Sequence, residues 1–282
     1  MKLTEEDLQK LANLAIDAAV RTGKFISESQ PGKVEHKGTG ESLATDVVTE
    51  VDRQSQELIL KILNPSLEEY DLALLTEESP DDGSRLEKDY FWCIDPIDGT
   101  LQFIEGTPGY AVSIALISKE GIPQIGVVYD PWTHTLYHAV RGGGAFRNSN
   151  PWKLPNVGNR LRIFTDRHES EGPKFKPMVK AMDAESGTYG GAVMNALWCL
   201  ENPPACYFKF PTTGNLGGSF WDFAAITCIY NELDLWASDV QGHTLQLNRP
   251  EAITLSHCGV LFATDPTHAK QFIQLNANPM FA

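Results

Sequence analysis

Two aspartates three residues apart, Asp95 and Asp98, stand in the segment Trp92-Cys93-Ile94-Asp95-Pro96-Ile97-Asp98-Gly99-Thr100, directly after an apolar run at 90–94. A turn there can aim both carboxylates at one place. Hard anionic oxygens of this kind suit Mg²⁺ or Mn²⁺, and no histidine, which softer metals favour, stands beside them. Pro96 removes one backbone donor and stiffens the turn, which leaves the Ile97 carbonyl available as a further neutral ligand. Gly99 lets backbone approach a bound group, and the Thr100 hydroxyl can orient water or phosphate. A helix beginning at Gly99-Thr100 would offer its first N–H groups to a phosphate. The same residues also make an ordinary Asp-Pro-x-Asp-Gly turn without chemistry, and the segment alone does not separate the two.

The surrounding elements supply the context. Residues 72–75 read as a short buried strand that runs into Thr76-Glu77-Glu78-Ser79 and carries a carboxylate pair at its end. Ser219 caps a helix that begins Phe220-Trp221-Asp222, where a first-turn carboxylate complements the helix dipole and needs no further role. Thr4 starts another helix, with Leu8, Leu11, Ala15 and Ala18 along one face; a second begins near Thr49 and carries Leu58, Ile59 and Ile62. Strands are expected at 110–117, 124–129 and 135–140, with Lys119-Glu120-Gly121 as a hairpin turn. The glycine-rich stretch 32–41 reads as a loop, and the glycine run 141–146, which lacks a P-loop lysine, reads as a turn between strands. His134 and His138 fall in strand territory and are expected to be structural or solvated.

At 282 residues and 42% hydrophobic content the chain suits one large or two modest domains. Its five cysteines are odd in number and show no Cys-x₂-Cys spacing, which argues against a zinc knot or a disulfide framework. The first residues are acidic, unlike a targeting peptide, and no apolar stretch approaches membrane-spanning length, so a cytoplasmic protein is expected. The net charge of −14 argues against nucleic-acid polymers and anionic membranes as partners. It leaves room for a small phosphorylated metabolite, because bound cations would invert the local field.

Four segments, in order, resemble the inositol monophosphatase family of metal-dependent, lithium-sensitive phosphatases: Thr49-Glu50-Val51-Asp52-Arg53, Glu77-Glu78-Ser79, Asp95-Pro96-Ile97-Asp98-Gly99-Thr100 and Trp221-Asp222-Phe223-Ala224-Ala225. The resemblance spans nearly the whole chain. It implies an α+β fold layered as an α-β-α-β-α sandwich. An N-terminal α+β part (1–150) would carry most metal ligands, and a C-terminal α/β part (151–282) the substrate pocket and one ligand. It also implies that Glu77, Asp95 and the Ile97 carbonyl hold the tightest metal and that Asp95, Asp98 and Asp222 hold a second. A third, looser ion would be placed through Glu77, making two or three Mg²⁺ in all, with Mn²⁺ as a substitute. Gly99 and Thr100 match phosphate contacts, and Asp52 matches the carboxylate that pairs with the threonine. Asp52, Glu77 and Thr100 thereby form the implied catalytic set, and Gly191, Ala192, Lys209 and Asp222 fall in the implied substrate pocket. The implied reaction is hydrolysis of a small phosphate monoester, such as an inositol monophosphate, by direct attack of metal-activated water. Family members commonly form homodimers.

The C-terminal half departs from the family pattern. Asn202-Pro203-Pro204-Ala205 replaces a Gly-Gly-Ala-Asp, residues 211–218 form a longer loop, and Lys209 stands where the family has a glutamate facing a substrate hydroxyl. A cation at that position favours a second anionic group, so a 3′(2′),5′-bisphosphate nucleotide or fructose 1,6-bisphosphate becomes an alternative substrate. The competing reading turns Lys209 to solvent. Lys37 resembles a basic residue that the family keeps ahead of the Thr49 helix. A non-catalytic regulatory protein is the reading from another class, and the retention of Asp52, Glu77 and Thr100 argues against it.

Overall fold

The structure is a computed structural model that describes residues 2–36, 47–156, 158–214 and 216–278. Lys37, with Gly38 and Gly40 of the glycine-rich stretch, lies outside the described residues. Helix α1 (Glu5–Glu28) begins as expected at Thr4, whose hydroxyl accepts from the Asp7 N–H at 3.2 Å while the Asp7 carboxylate accepts from the Thr4 N–H at 2.9 Å. A short antiparallel pair, β1 (Val34–His36) and β2 (Val47–Thr49), leads into α2 (Glu50–Glu69), which repeats the same reciprocal cap with Thr49 and Asp52.

A seven-stranded sheet follows in chain order: β3 (Ala73–Thr76), β4 (Tyr90–Asp98), β5 (Ala111–Ser118), β6 (Pro123–Asp130), β7 (Thr135–Val140), β8 (Gly144–Arg147) and β9 (Asn150–Pro151). Strand β3 runs parallel to β4, and the other neighbours are antiparallel. The hairpin at Lys119-Glu120-Gly121 forms as read, with Gly121 at φ 77°. The glycine run at 141–146 is a turn between β7 and β8. Its Gly142 and Gly144 amides donate to the two Glu232 oxygens at 2.9 and 2.8 Å, so the donors that could suggest a phosphate loop serve an internal carboxylate. His138 stacks on Phe146, ring centroids 5.1 Å apart, which agrees with a structural role.

The second sheet has the order β11 (Glu185–Thr188), β10 (Arg162–Thr165), β12 (Ala205–Lys209), β14 (Val260–Ala263) and β13 (Trp236–Ser238). Between and around the sheets lie α3 (Thr100–Glu105), α4 (Arg167–Glu171), α5 (Phe175–Ala181), α6 (Ala192–Glu201), α7 (Phe220–Glu232) and α8 (Pro266–Asn276). Period-two alternation builds the layers. On β4, Trp92 and Ile94 pack with Leu11, Ala15, Ile59 and Leu63 of α1 and α2, while Phe91 and Cys93 face the cluster built on α6 and α7. On β12, Tyr207 joins that central cluster, while Cys206 and Phe208 pack outward with Met178 of α5 and Phe272 of α8. The result is an α-β-α-β-α sandwich, as the resemblance implied. All five cysteines are free, and among the described residues no helix is long and apolar enough to cross a membrane.

One buried cation ties the two halves together. Arg85, only 2% exposed, donates to Asp81 at 2.8 Å, to the Asn248 side chain at 2.5 Å and to the Arg249 carbonyl at 3.0 Å. Its guanidinium also lies 5.8 Å from the centre of the Phe220 ring, in the first turn of α7. Asp81 reaches solvent, so loss of the guanidinium would chiefly leave the half-buried Asn248 side chain and Arg249 carbonyl without their donor. Arg85→Met is therefore expected to lower the unfolding free energy by about 2 kcal/mol, read as a shift in the urea midpoint at unchanged slope.

Candidate metal and phosphate site

The Asp95–Asp98 segment is a β-bulge, which corrects the expectation of a turn. Strand β4 keeps its pairing with β5 through both residues, Asp95 opposite Ser113 and Asp98 opposite Ala111, so three steps on β4 match two on β5. In a regular strand, residues three apart face opposite sides. The one extra residue restores both carboxylates to the same side. Asp95 turns back to accept from the Ile97 N–H at 2.9 Å.

Carboxylate oxygens of Asp95, Asp98 and Asp222 lie within 4.8 Å of one another, the first two buried and the third half-buried. Glu77 joins them through parallel pairing. Thr76 is opposite Ile94 on the neighbouring strand, so Glu77 emerges beside Asp95, near enough for its charge to help raise the Asp95 carboxyl. The Ile97 carbonyl is also at this point, 3.1 Å from the Thr100 hydroxyl, and keeps a lone pair for a cation. Thr100 Oγ1 stands 3.0 Å from Asp52 Oδ1, while Asp52 Oδ2 accepts from the Thr49 N–H at 2.8 Å and the Thr49 hydroxyl at 2.6 Å. Asp52 thus performs a helix-capping task with one oxygen and meets Thr100 with the other.

Helix N-termini converge on the cluster. Asp52 is in the first turn of α2, and Asp222 is in the first turn of α7, where it also accepts from the Ser219 N–H at 2.9 Å. Asp98 accepts from the first two amides of α6, Ala192 at 3.1 Å and Val193 at 3.0 Å. Each helix start carries partial positive charge, which offsets part of the cost of burying these anions. The compensation is incomplete: burial, and then the neighbouring Glu77, Asp98 and Asp222 charges, push the Asp95 carboxyl well above the ordinary carboxylate range. Burial and then Asp222 do the same to Asp98 against the two amides. Burial also raises Asp52, although the Thr49 and Thr100 hydrogen bonds oppose it. A cage of hard oxygens with uncompensated negative charge and a backbone carbonyl is a donor set that fits Mg²⁺.

Every residue expected at the metal and phosphate centre therefore comes together: Asp52, Glu77, Asp95, Ile97, Asp98, Gly99, Thr100 and Asp222. Gly99 adopts φ 83° as the cap of α3, and a side chain there would meet the Gly109 carbonyl at 2.6 Å. A cleft of about 110 Å³ opens beside the cluster, and Asp98, Gly99, Gly191, Ala192, Lys209 and Asp222 line it. Gly191 and Ala192 stand in the cleft wall, their amides committed to the Gly109 carbonyl and to Asp98. One expectation changes here. Lys209 is neither a free cation nor solvated: it is buried and pairs with Asp166 at 3.1 Å.

Asp166, Arg167, His168 and Gln102 also line the cleft, and sequence reading passed over them. The available signal was Asp166 as a cap residue, its carboxylate accepting from the Glu169 N–H at 2.8 Å at the start of α4. Arg167 is engaged by both oxygens of Glu105, at 2.8 and 2.5 Å. Behind the pair, Glu169 is pushed up to about 7 by burial and by Asp166, against Lys209 and a hydrogen bond from the Phe210 N–H. Burial would raise Asp166 too, but Lys209 and the Glu169 amide outweigh it and hold the carboxylate below its usual range.

A layered sandwich with an anionic oxygen cage between its two sheets defines a metal-binding fold whose site opens to a small cleft. The sequence profile of the Inositol monophosphatase family matches residues 7–277, and the chain belongs to that family. It is 36% identical to an inositol-1-monophosphatase of Mesorhizobium japonicum over 242 residues, covering 82% of this chain and 86% of the relative. It is 29% identical to the Nus factor SuhB of Vibrio cholerae over 264 residues, covering 90% and 94%. Inositol monophosphatase II of Staphylococcus aureus superposes with a TM-score of 0.68 at 26% identity, covering 96% and 94% of the two chains.

Proposed function

We propose that this protein is a Mg²⁺-dependent phosphatase that hydrolyses a small phosphate monoester of the inositol monophosphate kind. One observation carries the reading: the Asp95, Asp98 and Asp222 oxygens cluster within 4.8 Å, beside a Thr100–Asp52 pair 3.0 Å apart. Asp95, Asp98, Asp222, Glu77 and the Ile97 carbonyl would hold the ions, and Mg²⁺ supplies charge neutralisation on phosphate and a water of lowered pKa. Thr100 then orients an incoming water by accepting its proton-bearing side, while its own hydroxyl donates toward Asp52. The anionic Asp52 oxygen, anchored by Thr49, keeps that orientation fixed. Gly99, whose φ of 83° and close packing on the Gly109 carbonyl exclude a side chain, would set the backbone at the start of α3 to meet a phosphoryl oxygen. Cytoplasmic location, lithium sensitivity and a homodimer go with this reading and are tested separately.

The bisphosphate alternative loses its motive, because Lys209 is already paired with Asp166. A second reading has its own support: relatives named Nus factor SuhB favour a regulatory role for this fold. Net charge pointed away from a nucleic-acid partner, but with relatives of that name this exclusion is not carried forward. The test is phosphate release in millimolar Mg²⁺ with and without EDTA. The panel holds inositol 1-phosphate, 3′-phosphoadenosine 5′-phosphate, fructose 1,6-bisphosphate, histidinol phosphate and glycerol 2-phosphate. Turnover of a monoester that EDTA abolishes is expected; absence of release from all five would favour the regulatory reading.

A further inference from the structure

Helix α7 carries Asp222, and its start is tied to two different parts of the molecule. The Phe220 N–H donates to the Ile253 carbonyl at 2.9 Å and the Leu255 N–H to the Gly218 carbonyl at 2.9 Å, which fixes the helix start on the segment ahead of β14. The bond from the Ser219 N–H to Asp222 lies within the helix cap, so none of these three sets the distance from Asp222 to Asp95 and Asp98 on β4. Ser113 reaches across from the first sheet. Its wholly buried hydroxyl donates to the Trp221 carbonyl at 2.9 Å, in the first turn of α7 and one residue before Asp222. Ser113 is also the residue opposite Asp95 in the β4–β5 register, and such cross-strand partners point their side chains to the same face, about 5 Å apart. That face is the one turned to α7: Ala111 and Ala115 of β5 and Cys93 of β4 pack in one cluster with Phe223, Ala224 and Ala225. Gly126 of β6, paired with Ala115, marks a second close approach, since a Cβ there would stand 2.3 Å from the Ala225 carbonyl. The helix backbone thus rests on the sheet at two points about one turn apart, and Ser113 supplies the directional bond.

We infer that Ser113 is a positioning residue: its hydroxyl seats the first turn of α7 so that Asp222 faces Asp95 and Asp98 in an arrangement ready for an ion. The inference rests on the reading of the acidic cage as a metal site and adds a residue that would touch no ion itself. Three carboxylate oxygens within 4.8 Å repel one another when no cation is bound, and that repulsion pushes Asp222, the one brought by a separate helix, away from β4. Apolar packing beneath α7 opposes separation but not sliding, because it has no direction. A hydrogen bond weakens steeply as its angle opens, so the Ser113 bond holds the helix against both movements. A cation then meets ligands already in place and spends less of its binding energy on assembling them. The Trp221 carbonyl also faces the amide four residues on in its own helix, so removal of the Ser113 hydroxyl relaxes the seat without unfolding the turn.

Manganese binding, followed as loss of the free-ion electron paramagnetic resonance signal, tests this without turnover. Ser113→Ala is expected to weaken one bound Mn²⁺ about 3- to 10-fold, the loss that one neutral hydrogen bond carries, and to leave the other ion as in the wild type. Cys228→Ala is the control for a merely loosened helix. Cys228 is buried on α7 more than one turn beyond Asp222, with its thiol 3.8 Å from the Ala139 carbonyl, and its truncation should leave Mn²⁺ binding unchanged. In phosphate release, the Mg²⁺ concentration for half-maximal rate should rise in Ser113→Ala by the same factor, and saturating Mg²⁺ should restore the wild-type rate. Unchanged Mn²⁺ binding in Ser113→Ala, an equal loss of every ion, or as large a loss in Cys228→Ala would overturn the inference and leave the cage standing. A wild-type protein that binds no Mn²⁺ would sink the cage and the inference with it. The expected binding pattern without phosphate release would uphold the inference and count against the phosphatase reading alone.

Discussion

Asp95→Asn is expected to lower Mg²⁺-dependent phosphate release about 1,000-fold or more, because several kcal/mol of transition-state charge stabilisation pass through the ions that this carboxylate would hold. Asp95 is the residue shared between the two implied ion positions, and it also stands beside Glu77. Its loss therefore affects both positions, whereas loss of Asp222 would affect one. The same substitution is expected to stabilise the protein when no metal is bound. In the unfolded chain the carboxyl ionises near pH 3.9, but in the fold burial and then the Glu77, Asp98 and Asp222 charges hold its pKa well above that. Below the unfolded value the group is protonated in both states and contributes nothing. As pH rises past it the unfolded chain gives up the proton first, so the carboxyl costs stability increasingly until its folded pKa, and fully beyond. Asparagine carries no such cost. Metal-free Asp95→Asn should melt above the metal-free wild type at neutral pH and close to it near pH 4, and added Mg²⁺ should reverse the order. Thermal melts in EDTA and in Mg²⁺ across pH measure this; a lower metal-free melting point for the variant at neutral pH would count against an uncompensated acidic cage.

Thr100→Val and Asp52→Asn should each reduce turnover by about 100- to 10,000-fold, the range for a group that positions or moves a proton in the reacting complex. The two act as a unit through the 3.0 Å contact between Thr100 Oγ1 and Asp52 Oδ1. Their effects should therefore not add, and the double variant should resemble the worse single one. Thr100→Ser keeps the hydroxyl and should recover most of the rate. Neither residue belongs to the Asp95, Asp98 and Asp222 cluster, so the Mg²⁺ concentration for half-maximal effect should change little. A large shift in that concentration, or full additivity, would mean that Thr100 and Asp52 act through the ion cage and not on the water. Asp52→Asn also weakens the cap of α2 by about 1 kcal/mol, so its rate is compared at a temperature where both proteins are folded.

Much of this centre was legible in the chain because its determinants are local. Thr49 and Asp52, like Ser219 and Asp222, are three residues apart because a reciprocal helix cap requires that spacing, and it puts a carboxylate at a positive helix end whatever the tertiary fold. Strands β5, β6 and β7 announced themselves by apolar, β-branched runs and by a glycine turn. The bulge in β4 was missed because Asp-Pro-x-Asp-Gly has the same local chemistry in a turn. Only pairing of Asp95 and Asp98 with β5 distinguishes the two.

By itself, the sequence determined the helices, their caps and the acidic residue types, all set by interactions within a few positions. The tertiary structure decided which distant residues meet. Parallel register brings Glu77 beside Asp95 and Asp166 beside Lys209, and no spacing in the chain encodes either pairing. It also converted Lys209 from an apparently free cation into half of a buried pair, because an ammonium taken out of water is retained only with an anion alongside.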